Sequence, residues 1–381
     1  MKILKNFKMI FLSIVIPCLN EEESLPFCLK KIFKVLKNEK LQNKSEVIVV
    51  DNGSTDNSVK IAKKYNTRVI YSEKGYGNAL KKGIENAKGE YVAFADADDS
   101  YNFLELPKFI RKAKLGYEVI QGNRFKKYGG RIENHAMPFS HRYFGNPFLS
   151  FLTKKFFKIK FNDVFCGFRM FKKKNYNQNI YFSSGMEFAV EHLIKLAKST
   201  NKNIEIPITL HKDKRLESSS HLKTFSDGFK TLKFIIVHGI QIPSLVFATI
   251  FLFFSFKNGI LNIIHFDNLN AKALYAVVFF LMGIQFIFFY FFSNLASQKL
   301  GFEKMGHLNL IYKYISFNKS LLSFLVIFTI TSILLLLNHL NLIENFTINK
   351  FLIFFLFTTS IQCFVNILMI SILEYFGDKK K

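Results

Sequence analysis

Residues 94–101 read FADADDSY. The apolar run Tyr91-Val-Ala-Phe-Ala95 stops at Asp96, and Asp98 and Asp99 follow at once. The chain carries 53 basic and 28 acidic residues, so three carboxylates packed this closely stand out. A strand that ends this way presents acid where open parallel sheets bind ligands, beyond the carboxyl ends of their strands.

Outward from this stretch, apolar β-branched runs at 11–17, 46–51, 68–71, 90–95 and 117–121 alternate with amphipathic stretches at 22–38, 56–66, 76–88 and 103–115. That order predicts an α/β fold, a mostly parallel sheet with helices on both faces. Thr55 or Asp56 is placed to cap the second helix, and Gly89 to stop the third. Further on, 140–157 reads as amphipathic and aromatic. A strand near 164–171, a helix at 185–198 and a strand at 204–210 follow. Two more expected strand ends are polar: Pro17-Cys-Leu-Asn-Glu-Glu22 and Asp51-Asn-Gly-Ser-Thr-Asp56.

At 381 residues the chain has room for two domains, and its composition divides it. Residues 1–219 read as a soluble α/β domain and 220–233 as an amphipathic segment lying on a membrane surface. Residues 234–381 read as an all-α membrane domain. Its four apolar stretches, 234–256, 271–293, 320–340 and 349–373, are each long enough to span a bilayer, which takes about 20 residues. Lys299, Lys304, Lys313, Lys319 and the Lys379–Lys381 tail place the large N-terminal domain on the cytoplasmic side, at the inner membrane in a bacterium. Near the N-terminus, lysines precede Met9–Ile16 as in a signal peptide, but Pro17 and glutamates follow instead of a small-residue cleavage site. A first buried strand is expected there.

The formal net charge of +25 suits an anionic partner such as a membrane surface, or reflects a lysine-rich, tryptophan-free composition. Nucleic acid is not expected, since no basic run is interleaved with aromatics on a recognisable binding fold. The four cysteines are scattered, with no zinc spacing, and read as free thiols.

Asp96 and Asp98 fit Mg²⁺ or Mn²⁺, hard cations that bind through one or two carboxylates plus substrate phosphates; a solvated turn is the bland alternative. Asp51 can accept hydrogen bonds from a base or ribose, and Gly53 permits the tight turn after it. Lys74-Gly-Tyr-Gly77 opens a helix that could face an anion or be a plain loop. Arginine is used sparingly, seven against 46 lysines, and five lie at Arg124, Arg131, Arg142, Arg169 and Arg215. A planar fork suits phosphate or a structural ion pair.

Ser13–Glu22, Val49–Asp56 and Ala95–Asp98 resemble the family-2 glycosyltransferases of the GT-A fold. Asn123-Arg124, His141-Arg142, Asp163 with Cys166-Gly-Phe-Arg169, Met186-Glu187 and Glu205–Ile208 resemble the dolichyl- and polyprenyl-phosphate sugar synthases. The likeness covers 11 to about 232. It implies that Pro17, Leu19, Asn20, Glu21, Asp51, Gly53, Lys74 and Asp96 hold a nucleotide sugar, a UDP- or GDP-hexose, and that Asp96 and Asp98 hold the metal. It implies an acceptor-phosphate site of Arg124, Arg142, Asn146 and Arg215, with Asp98, Arg124 and Arg142 carrying catalysis. Ser100 stands where close relatives often have glutamine, and the loop from Arg215 to His221 lacks the usual basic pattern.

The expected reaction is an inverting transfer of a hexose to a polyprenyl phosphate. One alternative extends a glycolipid or polysaccharide with Glu187 or Asp163 as base. Another is a non-catalytic membrane scaffold. The sugar, the lipid length and any homo-oligomer are left open.

Overall fold

A computed structural model describes residues 10–215, 224–258, 260, 271–299 and 301–302, with Thr329, Ile333, Thr358, Thr359, Ile361, Gln362 and Asn366 beyond them. The chain divides into two compact units, Met1–Ile235 and Ile236–Lys381.

In the first unit, β1 (Leu12–Cys18) is buried along its whole length. It pairs in parallel with β2 (Ser45–Asp51) on one side and β4 (Tyr91–Phe94) on the other. A strand covered on both faces must be apolar throughout, which is why this one mimicked a signal sequence. β3 (Arg68–Tyr71) extends the parallel set beyond β2. β5 (Val119–Asn123) and β8 (Asn203–Pro207) pair in parallel. The antiparallel β7 (Arg169–Lys172) joins β4 to β5, so the seven-stranded order is β3-β2-β1-β4-β7-β5-β8. β6 (Arg131–Ile132) and β9 (Thr209–Leu210) form a small second sheet.

The strand expected at 204–210 is therefore two. Past Pro207 the chain changes partners: the Ile208 amide still donates to the Asn123 carbonyl, while its carbonyl accepts from Arg131.

α1 (Leu25–Asn38) buries Leu25, Cys28, Leu29, Ile32, Val35 and Leu36, the spacing of one helical face. With α4 (Leu106–Lys114) it covers the sheet face carrying Leu12, Ile14 and Ile16. Phe109 stacks on Phe168 there at 4.2 Å. α2 (Ser58–Lys64) links β2 to β3. α3 (Tyr76–Asn86) lies on the opposite face, where Gly83 meets Val15 and Val50. This alternation along β1 is the period-two geometry of a strand. α5 (Asn146–Phe157) follows a π-turn at His141–Gly145; α6 (Lys173–Asn177) and α7 (Phe188–Ser199) complete the unit. Cys18, Cys28 and Cys166 are buried free thiols.

The apolar stretch at 234–256 is not one straight helix. α8 (Thr224–Gly239), which also takes in part of the expected surface segment, and α9 (Gln241–Lys257) meet at a 69° bend. Pro243 has no amide hydrogen to donate and its ring crowds the carbonyl four residues back, at Gly239. α10 (Ala271–Lys299) contains Tyr275–Gln298, long and apolar enough to cross a membrane. α9 and α10 pack through Phe251 on Phe286 at 5.5 Å and a hydrogen bond from Ser255 to the Ala276 carbonyl. The stretches at 320–340 and 349–373, apart from single positions, and the lysines at 304, 313, 319 and 379–381 lie outside the described residues.

Candidate active site

Because β1, β2 and β4 run parallel, their carboxyl ends open on one edge, and their loops interlock there. The Asn20 amide donates to Ser54 Oγ at 3.0 Å, and Asn20 Oδ1 accepts from the Thr55 amide at 2.8 Å. The Glu21 amide donates to Ser58 Oγ at 2.8 Å. Asn20 holds φ 53°, a left-handed conformation that asparagine tolerates. Pro17 is buried within β1, and Leu19 is half-buried beside Asn20. Asp51 folds over its own loop, accepting from the Gly53 and Ser54 amides at 3.3 and 3.1 Å. Each oxygen keeps acceptor capacity for a further donor.

The three aspartates of the 94–101 stretch have separate jobs. Asp96 accepts from the Tyr76 hydroxyl at 2.9 Å. Burial, then the charge of Asp98, pushes its carboxyl up to about 7. Asp98 accepts from the Ser100 amide at 3.0 Å and lies 3.6 Å from Arg215 Nη2. Asp99 is buried and serves the fold: its carboxylate takes Lys31 of α1 at 2.7 and 2.8 Å and Lys214 at 3.4 Å.

Arg215 closes the cluster. Its Nε lies 3.1 and 3.2 Å from the two Glu21 oxygens, and Nη2 also donates to Glu21 Oε1. Glu21 and Asp98, distant in sequence, thus share one guanidinium.

Asp96 and Asp98 suit a divalent cation. Both offer hard oxygens, and space beside Asp96 is kept open by Gly167, where an added Cβ would come within 3.0 Å of Asp96 Oδ2 and 2.9 Å of the Tyr101 ring. Among the described residues no group of three acidic, histidine or cysteine ligands forms. Two carboxylates can hold an ion that completes its shell with substrate phosphate and water.

The Lys74–Gly77 segment owes its glycines to packing. Gly75 has φ 126°, and a Cβ there would lie 2.5 Å from the Ser184 carbonyl oxygen. The turn aims Tyr76 at Asp96, while Lys74 is exposed with its stem beside Gly53. Sequence reasoning did not single out Tyr76; its place between two glycines was the available signal.

Arg124 has a carboxylate partner of its own. It is buried and forms a fork with Asp163, Nε to Oδ2 and Nη2 to Oδ1, both at 2.8 Å, while Nη1 reaches the Tyr101 hydroxyl at 3.2 Å. It is held in an ion pair with the framework. Arg169, fully buried, donates to Gln121 at 2.6 Å and to the Ala189 carbonyl at 3.1 Å, and it touches His192 at 2.8 Å. Arg142 lies half-exposed on the π-turn, its guanidinium 5.4 Å from the Tyr143 ring centroid. Among the described residues it has no carboxylate partner. Asn146, at the start of α5, contacts Met137 Sδ at 3.4 Å. No hydrogen bond or ion pair among the described residues joins Arg142 or Asn146 to the carboxylate cluster.

A mostly parallel sheet with helices on both faces thus gathers carboxylates and an arginine at its strand ends. Residues 13–179 match the model of Glycosyl transferase family 2. The chain is 34% identical over 229 residues to the low-salt glycan biosynthesis hexosyltransferase Agl6 of Haloferax volcanii, 60% of this chain and 53% of that one. It is 32% identical over 245 residues to an uncharacterized protein of Methanocaldococcus jannaschii, 58% of this chain and 97% of the other. It is 26% identical over 178 residues to the undecaprenyl-phosphate 4-deoxy-4-formamido-L-arabinose transferase of Pseudomonas fluorescens, 45% of this chain and 49% of that one. The chain thus spans about half the length of the first and third of these relatives. Residues 13–179 thus belong to glycosyl transferase family 2.

Proposed function

We propose that this chain moves a hexose from a nucleoside-diphosphate sugar to a polyprenyl phosphate, undecaprenyl or dolichyl, with inversion and with Mg²⁺ or Mn²⁺. The observation that carries the donor half is the cluster of Asp96, Asp98, Glu21 and Arg215 on one strand edge. The acceptor half is supported by Arg142, which has no carboxylate partner among the described residues, and by the undecaprenyl-phosphate transferase among the relatives. Tyr275–Gln298 supports work at a membrane.

In this reading Asp96 and Asp98 would hold the metal that the donor diphosphate needs, and Tyr76 keeps Asp96 turned toward the cleft. The bound ion supplies positive charge to the departing diphosphate. Arg215 trades part of its hold on Glu21 and Asp98 for the same oxygens. Asp51 and Asn20 frame the nucleoside. Arg142 and Asn146 seat the acceptor phosphate. One phosphate oxygen forms the bond to the anomeric carbon, the carbon–oxygen bond to the diphosphate breaks, and the nucleoside diphosphate leaves with the electron pair. The nucleophile is already ionised at neutral pH, so no general base is needed. Asp163, one of the two candidate bases for a hydroxyl acceptor, is buried and engaged by Arg124. Glu187, which accepts from the Gly185 amide at 3.2 Å, is the group a sugar-hydroxyl acceptor would use.

Donor binding tests the first half. Mn²⁺ titrated with UDP or GDP against the full chain, followed by electron paramagnetic resonance, is expected to show a bound ion that Asp98→Ala abolishes. An unchanged spectrum in the variant would move the metal elsewhere.

A further inference from the structure

Away from the carboxylate cluster, a cavity of about 480 Å³ opens between α5 and the turn before β6. Its walls are aromatic, from Phe125, Tyr128 and Phe151, and three lysines, Lys127, Lys154 and Lys155, line it. Lys154 is tethered to Asn162 Oδ1 at 2.6 Å. Glu205 is engaged by Asn162 and by the amides of Asn162 and Asp163. Lys127 and Lys155 have only ring faces, Tyr128 and Phe151, each 5.9 Å away. Among the described residues neither has a carboxylate partner. Two exposed cations without carboxylate partners among the described residues, set on an aromatic-walled cavity, suit an anion carrying apolar groups.

The neighbouring surface selects among such anions. Phe144, Phe148, Phe151 and Lys155 recur at intervals of four, three and four, one face of a helical stretch. The three phenylalanines are 66%, 55% and 55% exposed, and Phe139 and Tyr143 just before them are exposed as well. An aromatic stripe of this kind is costly in water and stable at a lipid headgroup boundary, where lysines at its margin meet anionic lipid. Phe151 belongs to both stripe and cavity.

We propose that this cavity binds the phosphate headgroup of an anionic bilayer phospholipid, a lipid site separate from the sugar-transfer centre. Lys127 and Lys155 contact the phosphate, Lys154 supports it from Asn162, and the aromatic stripe lies in the headgroup layer. The site docks the α5 face on anionic membrane.

The test uses the full chain, purified in a neutral detergent. It is titrated with phosphatidylglycerol or phosphatidylcholine, and bound lipid is counted by native mass spectrometry. Phosphatidylglycerol is expected to bind at least about tenfold more tightly. The double substitution Lys127→Gln with Lys155→Gln should remove most of that preference, and Phe151→Ala should weaken both lipids. The glutamines keep length and replace lysines that have no carboxylate partner among the described residues, and a circular dichroism melt checks the fold. Millimolar inorganic phosphate should not displace the lipid. Equal retention of the two lipids by the unmodified chain would overturn the proposal. So would an undiminished preference in the double variant, or displacement by free phosphate, which would make this a soluble-anion site.

Discussion

The guanidinium of Arg215 lies along the carboxylate of Glu21, with Nε 3.1 Å from Oε1 and 3.2 Å from Oε2, across 194 residues of chain. The pair is largely shielded, with side chains 10% and 5% exposed. Removing one partner of a shielded pair leaves the other charge uncompensated, which costs about 3 kcal/mol. Arg215→Ala and Glu21→Ala should each lower the thermal midpoint by roughly 6–12 °C for a unit of this size. The double substitution should cost clearly less than the sum. Additive losses would mean that the pair does not couple.

Tyr76 donates to Asp96 at 2.9 Å from a half-buried position. Tyr76→Phe keeps the ring and removes that bond. Mn²⁺ affinity and kcat should each fall about tenfold, the range for one hydrogen bond to a charged group. Nucleoside affinity measured without metal should hold. Loss of nucleoside binding as well would make Tyr76 a general support of the fold.

Two arginines with the same expected role should part company. Arg124→Ala breaks the fork to Asp163 and should destabilise the protein, by about 3 kcal/mol if the pair behaves as buried pairs do. Arg142→Ala has no such pair to break. It should leave the melting curve nearly unchanged while raising KM for the lipid phosphate about tenfold or more. The reverse pattern would return the acceptor site to Arg124.

His192 is fully buried against Arg169. Burial, then the Arg169 and Lys195 charges, holds its imidazole well below the usual histidine range. The folded chain keeps it neutral, while the unfolded chain takes up a proton below about pH 6.5. Its stabilising contribution is therefore complete above that pH. It is lost as pH falls further, by about 1.4 kcal/mol per unit. His192→Gln keeps an acceptor for Arg169 without the titration. The thermal midpoint of the variant should fall less steeply from pH 6.5 to 5, and an equal slope would clear His192 of the effect.

The parallel core was legible because buried strands are written as unbroken apolar runs, and β1, β2, β3 and β4 fall within a residue of where those runs lie. Strand ends with polar signatures were legible for the same reason: polarity returns where the sheet stops. Partners far apart in the chain were not. Nothing local in Arg124 distinguishes a phosphate ligand from a mate of Asp163, 39 residues away. Asp99 looked like its neighbours until α1 brought Lys31 to it. The bend between α8 and α9 hid inside a run whose hydropathy alone suggested one helix, although Gly239 and Pro243 were there to read.

The most direct test is a transfer assay on the full chain in detergent with Mg²⁺ or Mn²⁺, a panel of UDP- and GDP-hexoses, and undecaprenyl or dolichyl phosphate. Lipid product is read by mass spectrometry. The account predicts a lipid carrying one hexose through a single phosphate, absent on chelation and in Asp98→Ala. Hexose transferred to a sugar hydroxyl, with the lipid phosphates untouched across the panel, would contradict it.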